Sequence, residues 1–194
     1  MSQTPGQKPQ KKSGPYAVPL SDSIEGALSF ESYGNTQGLD GVIVTPLRKH
    51  RGQNGWFAEL FRVVDGRVEG GDSRLVLRQL SAAYAAPQRI NAFHIHPKEP
   101  QNEVWIVLQG LLLVWMVDCR AGSPTENVRQ RIVLSGEEPA QLEIPAGVAH
   151  GYKAGHDGAL LIYAMDQQFD ASDPNEGRLP WDHFGTQLWD EDRG

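Results

Sequence analysis

The sequence predicts an all-β fold, a sandwich or barrel of short antiparallel strands. From Gly41 onward, apolar runs of strand length are separated by Gly, Pro, Asn and Asp. The runs are rich in Val, Ile, Leu and aromatic residues, and several alternate apolar with polar positions, as half-buried strands do. No segment shows a long helical period with caps at both ends. Many short strands at near-regular spacing are typical of β-sandwiches and β-barrels.

Eight predicted strand segments follow one another along the chain. In order, they span residues 41–47, 55–64, 73–84, 103–110, 111–120, 130–134, 141–145 and 159–168. Gln109-Gly110 separates the fourth segment from the fifth, and Pro145 ends the seventh because proline removes a backbone donor. We expect one or two helical turns within 21–30 and another short helix after Asp173.

Composition changes once along the chain. Residues 1–20 are rich in Gln, Pro, Lys, Gly and Ser, which predicts a flexible N-terminal arm. Residues 21–194 contain neither an internal repeat nor a second composition regime. They predict a single domain, long enough to bury a core of its own.

Charge and composition argue against several classes of partner. The 194 residues carry a formal net charge of −6, which disfavours nucleic acid or an anionic membrane as the main partner. No apolar run reaches the roughly 20 residues of a membrane helix, and no signal peptide is recognisable. The single cysteine, Cys119, cannot form an internal disulfide and favours a reducing compartment. We therefore expect a cytoplasmic protein.

Two histidines one residue apart precede the fourth predicted strand. Side chains at i and i+2 of a strand share a face, about 6.6 Å apart at Cα, so His94 and His96 can converge on one ion. Glu103 opens the next strand and returns to that face if the two strands pair antiparallel. His150 follows a Pro-x-Gly turn in which Gly147 permits a backbone angle that other residues resist. Three imidazoles and one carboxylate would hold a divalent ion and leave positions for water or substrate.

The combined spacing resembles the two sequence motifs of the cupin superfamily. Its members are small jelly-roll barrels, or double-stranded β-helices, with a metal at these four positions. The resemblance implies a cupin fold, although six residues separate His96 from Glu103, a longer linker than in most members. The ligands suit Fe, Mn, Ni, Co or Zn equally. The alternative is a metal-free cavity in which the histidines only form hydrogen bonds.

A more specific resemblance covers residues 40–189. The stretch MVDCRAGSPTENVRQRIVLSGEEPAQLEIPAGVAHGY, residues 116–152, is similar to the central segment of the dTDP-4-dehydrorhamnose 3,5-epimerase family of cupin-fold enzymes. The matching residues are Asp118, Arg120, Ser123, Pro124, Thr125, Pro145, Gly147, Ala149, His150 and Gly151. The resemblance implies a nucleotide-sugar substrate and a homodimer.

The same resemblance implies roles for residues outside the central segment. Tyr163 and His94 fall on catalytic positions of the family. The positions implied to bind substrate hold Phe57, Glu59, Gln79 and Asn91. Asn91 stands where the family has a phosphate-binding arginine, which weakens the predicted diphosphate site.

The departures from the family concern its catalytic groups. A family glutamine becomes His96 and the catalytic lysine becomes Glu103, so a carboxylate replaces the cation that stabilises the enolate. Both changes introduce metal ligands, and a divalent ion can act as a Lewis acid in place of lysine. In that case His94 would serve as a ligand. The C-terminal aspartate that partners the family's histidine has no clear counterpart after Trp189.

Together these observations predict a divalent-metal-dependent isomerase or epimerase that acts on a keto-sugar or nucleotide-sugar by enolisation. Tyr163 or a bound water would move the proton. A metal-dependent cupin dioxygenase and a non-catalytic cupin that binds a small molecule are the alternatives. The metal-free family reaction with His94 as base is disfavoured, because the base lacks a carboxylate partner and the lysine is absent.

Overall fold

The computed structural model describes residues 16–30, 38–69 and 75–191. Within these ranges the chain forms twelve strands, one short α-helix and one 3-10 helix. Their bounds are α1 Asp22–Glu25, β1 Ile43–Pro46, β2 His50–Gly52, β3 Gly55–Phe57, β4 Arg62–Val64, β5 Arg67–Glu69, β6 Gln79–Ala85, β7 Ile90–Ile95, β8 Glu103–Asp118, β9 Arg129–Ser135, β10 Ala140–Ile144, β11 Val148–Met165, β12 Gly177–Arg178 and the 3-10 helix Thr186–Trp189. None of the helices in the described ranges has the length and apolar character needed to cross a bilayer.

The chain divides into two compact units, Met1–Asn35 and Thr36–Gly194. The first contains α1, a single helical turn within the predicted segment 21–30. Residues 1–15, most of the predicted arm, lie outside the described residues, so the division into 1–20 and 21–194 stays a prediction. The second unit contains all twelve strands and the 3-10 helix.

Two long strands, β8 and β11, form the centre of the second unit. They pair antiparallel over their whole length. Both bend near the middle, at Gly110 and Gly158, where φ is 73° and 74°. A Cβ on Gly110 would lie 1.9 Å from the carbonyl oxygen of Gly158, so the two backbones approach more closely than a side chain would allow.

The bend divides each long strand between two halves of a barrel. In one half, the end of β8 and the start of β11 lie between β9 and β7, and β12 pairs with β7. In the other half, the remaining parts of β8 and β11 lie between β10 and β6, and β1 pairs with β10. The arrangement is an antiparallel jelly roll, so the predicted all-β cupin fold is confirmed.

The structure differs from the sequence prediction at the centre of the fold. The segments 103–110 and 111–120 form one strand, β8, because Gly110 bends the chain without ending the ladder. The direct pairing that would place Glu103 beside the histidines does not occur, since β11 lies between β8 and β7. Glu103 instead reaches them across the barrel, from the other half.

One buried carboxylate organises the loop after β8. Asp118, which has no exposed surface, accepts hydrogen bonds from the Arg120 side chain at 2.8 Å and from the hydroxyls of Ser123 and Thr125 at 2.5 and 2.6 Å. Gly147 adopts the predicted left-handed angle, with φ of 82°. A Cβ there would lie 2.6 Å from Arg120 Cγ, so this glycine also makes room for the arginine.

The C-terminal segment packs on the face of β7 opposite His94. Phe93, Leu188 and Trp189 form a buried apolar cluster there. The carbonyls of Leu188 and Trp189 accept hydrogen bonds from Trp115 Nε1 and Lys153 Nζ, both at 2.7 Å. These contacts fix the chain that comes after β12, and β12 lies at the edge of the functional site.

Candidate active site

A cavity of about 420 Å³ opens into the barrel. Its wall includes seven of the nine residues that the sequence singles out. These are Gln79, Asn91, His94, His96, Glu103, His150 and Tyr163. The fold therefore brings together residues that lie up to 84 positions apart in the chain.

Three of the four predicted metal ligands form a cluster. His96 Nε2 lies 2.8 Å from Glu103 Oε1, and His150 Nε2 lies 3.7 Å from Glu103 Oε2. One ligand atom from each residue lies within 4.8 Å of the other two. All three side chains are nearly or fully buried, at 10%, 6% and 3% exposure for His96, Glu103 and His150.

Backbone carbonyls orient both imidazoles of the cluster. His96 Nδ1 lies 2.5 Å from the carbonyl oxygen of Asn175, and His150 Nδ1 lies 3.0 Å from that of Val148. A carbonyl only accepts, so each Nδ1 carries a hydrogen and donates it. The Nε2 atoms face Glu103 and are the atoms that would bind a cation, and such supporting contacts are typical of metal-bound histidines.

The carboxylate of the cluster is held in its ionised form. Gln101 Nε2 and Trp105 Nε1 donate to its two oxygens at 2.8 and 2.6 Å. Burial raises the pKa of Glu103, but His150 and the hydrogen bond from His96 outweigh it and lower the pKa to about 2. Burial lowers the pKa of His96, but the hydrogen bond to Glu103 and the charge of Glu103 outweigh burial and raise this pKa overall.

This donor set fits a divalent metal ion. Glu103 Oε1 lies 2.8 Å from His96 Nε2, while Nδ1 of the same ring already donates to a carbonyl. Two lone pairs at that distance would repel each other, so positive charge must lie between the two atoms. Either a proton on His96 or a metal shared with His150 supplies that charge. Two imidazoles and a carboxylate are suitable ligands for Fe, Mn, Ni, Co or Zn.

His94 lies outside this cluster. Its Nδ1 is 3.3 Å from Glu176 Oε1, its Nε2 is 3.1 Å from Asn91 Oδ1, and its ring centroid is 6.1 Å from that of His150. Strand β7 ends at Ile95, so the shared-face geometry expected for His94 and His96 does not extend to His96. Its role as the fourth metal ligand stays a prediction.

The surroundings of His94 suit a base. Burial lowers its pKa to about 4, with contributions from His150 and Arg178, so the ring is neutral at neutral pH. A neutral imidazole carries one hydrogen, and the Glu176 carboxylate next to Nδ1 is a stronger acceptor for it than the Asn91 amide oxygen next to Nε2, so Nδ1 carries the hydrogen and Nε2 keeps a lone pair. A carboxylate on Nδ1 also stabilises the imidazolium that forms when Nε2 takes a proton.

Glu176 and Arg178 line the cavity close to His94, and the sequence analysis did not single them out. Arg178 lies on β12, where it pairs in register with His94, and Glu176 immediately precedes that strand. Arg178 donates to Glu176 Oε1 at 2.5 Å and to Asn91 Oδ1 at 3.3 Å. A two-residue strand leaves no periodic signal, and Glu176 lies 82 positions from the histidine it contacts.

Tyr163 and Gln79 occupy neighbouring strands of the cavity wall. Burial raises the pKa of Tyr163, although a hydrogen bond with Ser81 opposes the shift. The phenol therefore stays protonated at neutral pH and can donate. Gln79 donates to Ser81 Oγ at 3.1 Å and accepts from the Phe169 N–H at 2.8 Å, which fixes its side chain.

Phe57 and Glu59 do not line the cavity. Phe57 is 65% exposed on β3, and Glu59 forms an ion pair with Arg62 at 2.8 Å. Their implied contact with substrate stays a prediction.

Sequence comparisons identify a family and several relatives. The model of the dTDP-4-dehydrorhamnose 3,5-epimerase family matches residues 36–188. The spore coat polysaccharide biosynthesis protein SpsL of Bacillus subtilis is 34% identical over 145 residues, which are 74% of this chain and 91% of that protein. A probable low-salt glycan biosynthesis epimerase of Haloferax volcanii is 30% identical over 142 residues, 73% of this chain and 87% of that one.

Solved structures share the fold. A dTDP-4-dehydrorhamnose 3,5-epimerase from Bacillus anthracis, with TDP and PPi bound, has a TM-score of 0.64 at 21% identity and covers 79% of this chain and 85% of its own. A dTDP sugar isomerase from Desulfovibrio desulfuricans has a TM-score of 0.65 and covers 75% and 87%. The family match spans most of the chain and includes every residue of the cavity wall. The chain belongs to the dTDP-4-dehydrorhamnose 3,5-epimerase family.

Proposed function

We propose that the chain epimerises a nucleotide-linked 4-keto sugar by enolisation. The family supports this reaction class. The observation that carries the proposal is the contact of His94 Nδ1 with Glu176 Oε1 at 3.3 Å. It provides the carboxylate partner whose absence in the sequence disfavours His94 as a base.

Residues of the cavity wall can carry out each step of this reaction. His94 Nε2 removes a proton from a carbon next to the keto group, and the electrons of the C–H bond move to the carbonyl oxygen as an enolate. Glu176 accepts a hydrogen bond from Nδ1–H and so stabilises the imidazolium that forms. Tyr163 or a bound water returns a proton to the opposite face of the carbon, and the carbonyl re-forms with inverted configuration.

We also propose that His96, Glu103 and His150 hold a divalent metal, one of Fe, Mn, Ni, Co and Zn. When bound, such an ion supplies Lewis-acid stabilisation of a carbonyl or enolate oxygen. The protein's own contribution is to hold the ligands: Asn175 and Val148 orient the rings through their carbonyls.

The same reaction without metal is a second candidate. It is favoured by the raised pKa of His96 beside Glu103, because a protonated His96 places positive charge in the cavity. Positive charge near the keto oxygen is what the family's lysine provides. The two candidates differ only in the source of that charge.

Proton exchange tests the reaction. With dTDP-4-dehydrorhamnose in D₂O, NMR should show deuterium entering carbons 3 and 5 in the presence of the protein. His94→Asn should abolish the exchange, whereas His156→Asn, a control at an exposed position outside the cavity, should retain it. Absence of exchange with the unaltered protein would refute the proposed reaction. Binding without exchange would indicate the non-catalytic alternative, and oxygen uptake would indicate the dioxygenase.

Elemental analysis tests the metal. Protein purified without chelator should contain about one divalent ion per chain, and His96→Gln, which restores the family residue, should lose it. EDTA should then remove proton exchange together with the metal. Exchange that persists in metal-free protein would select the second candidate.

A further inference from the structure

Arg178 is the only Lys or Arg among the described residues that line the cavity. Its side chain is 55% exposed, so the guanidinium lies at the solvent side of the cavity. The cluster of His96, Glu103 and His150 lies at the buried side of the cavity. Pairing of β12 with β7 places Arg178 beside His94. The position is therefore next to the proposed base and accessible to a ligand that enters from solvent.

Hydrogen bonds orient the guanidinium of Arg178 but do not use all of its donors. One nitrogen donates to Glu176 Oε1 and the other to Asn91 Oδ1, at 2.5 and 3.3 Å. Arginine has five N–H donors in a planar fork, so further donors remain for a ligand. A fork of this kind suits phosphate oxygens, which it can bind in pairs.

The distribution of charge in the cavity favours Arg178 as the contact for an anionic substrate. The carboxylates of the wall are Glu103 and Glu176. A metal or a protonated His96 would supply positive charge at the buried side, whereas among the described wall residues Arg178 alone supplies it at the solvent side. Asn91, where the family arginine is missing, cannot supply the positive charge but does hold Arg178.

We propose that Arg178 binds the diphosphate of the substrate and so takes the place of the arginine lost at position 91. The inference rests on the proposed function, because it assigns that site a nucleoside-diphosphate sugar. Phosphate oxygens would replace Glu176 as the acceptor for Arg178. Glu176 Oε1, which now contacts both Arg178 and His94, would then be left to His94.

Titration calorimetry with dTDP tests the inference without turnover. Arg178→Ala should weaken dTDP binding at least about tenfold, the scale of one charge-assisted hydrogen bond, and Arg178→Lys should recover part of it. Arg131→Ala is the matched control, since Arg131 carries the same charge on an exposed position of β9 outside the cavity. It should leave the dissociation constant unchanged. Thymidine, which has no phosphate, should bind the Ala variant and the unaltered protein alike.

Two results would overturn the inference. One is dTDP binding by Arg178→Ala with unaltered affinity, and the other is failure of the unaltered protein to bind millimolar dTDP. Neither depends on proton exchange, so the diphosphate site and the epimerase reaction fail separately. A loss of dTDP binding in Arg131→Ala equal to that in Arg178→Ala would also overturn it, because the effect would then be one of overall charge.

Discussion

Glu176 determines what His94 can do. One of its oxygens lies between the imidazole, at 3.3 Å, and the guanidinium of Arg178, at 2.5 Å. A carboxylate in this place selects the tautomer with hydrogen on Nδ1 and leaves Nε2 as the basic atom. In the proposed reaction Glu176 is therefore a positioning residue that acts through His94.

Glu176→Gln should lower kcat by roughly 10- to 100-fold, because the amide cannot stabilise an imidazolium as a carboxylate does. KM should change by less than kcat, since the substrate-binding groups remain. Steady-state kinetics measures both, and Glu176→Asp should restore part of kcat. Equal losses in Gln and Asp variants with reduced thermal stability would show a structural role instead.

Asp118 is the residue on which the family's central motif depends for structure. The hydrogen bonds from Arg120, with those from Ser123 and Thr125, hold the pKa of this carboxyl well below its usual range. A carboxylate with a lower pKa in the folded chain adds stability above the unfolded pKa, and this stability is lost as pH falls toward the folded-state pKa.

Asp118→Asn should therefore lower the free energy of unfolding by roughly 3 kcal/mol at pH 7, as loss of a buried charge partner does. The difference from the unaltered protein should shrink below pH about 4, where the unfolded chain binds the proton. Urea titrations at a series of pH values measure it. Asp157→Asn, at an exposed position, is the control, and a pH-independent difference for Asp118→Asn would contradict the account.

Single residues show both what sequence reveals and what it hides. His96, Glu103 and His150 could be identified from the sequence because their spacing resembles the two cupin motifs. Glu176 and Arg178 were not, since they meet His94 only through the pairing of β12 with β7. That contact depends on tertiary packing of the C-terminal segment and has no local pattern.

At the scale of elements, the long strands β8 and β11 provide three of the residues of the candidate site. β8 provides Glu103 at its start, and β11 provides His150 and Tyr163 on the two sides of its bend. Apolar runs predicted their existence, but Gly110 suggested an end where the strand only bends. A glycine with positive φ can either end a strand or bend it. At Gly110 the strand bends and continues, because the backbone of Gly158 packs directly against it.

Gly158→Ala should destabilise the fold by at least about 2 kcal/mol, because its Cβ would lie 2.5 Å from the Ala85 carbonyl oxygen. Gly122→Ala is the matched control. Gly122 has a similar φ of 76° with nothing near its Cβ, so its variant should lose only the cost of the backbone angle, about 1 kcal/mol. Thermal unfolding compares the two, and equal losses would contradict a steric role for the bend.

At the scale of the whole molecule, the jelly roll was predictable and the assembly is still a prediction. The family resemblance implies a homodimer, and Leu80 and Tyr84 on β6 are 55% and 64% exposed, as interface residues of a lone protomer are. The predicted cytoplasmic location is likewise open.

A homodimer would have twice the 21.4 kDa mass of one chain. Light scattering coupled to size exclusion should give that mass at micromolar concentration. Leu80→Ser combined with Tyr84→Ser should shift it toward the monomer if β6 contributes to the interface. A monomeric mass for the unaltered protein would refute the dimer.

The oxygen that Glu176 shares between Arg178 and His94 bears on selectivity. A free hexose has no phosphate to draw the guanidinium away, so even when it occupies the cavity it meets a base whose carboxylate is still engaged elsewhere. On the proposed roles of Arg178 and His94, such a sugar would be disfavoured twice, by loss of the phosphate contact and by slow deprotonation.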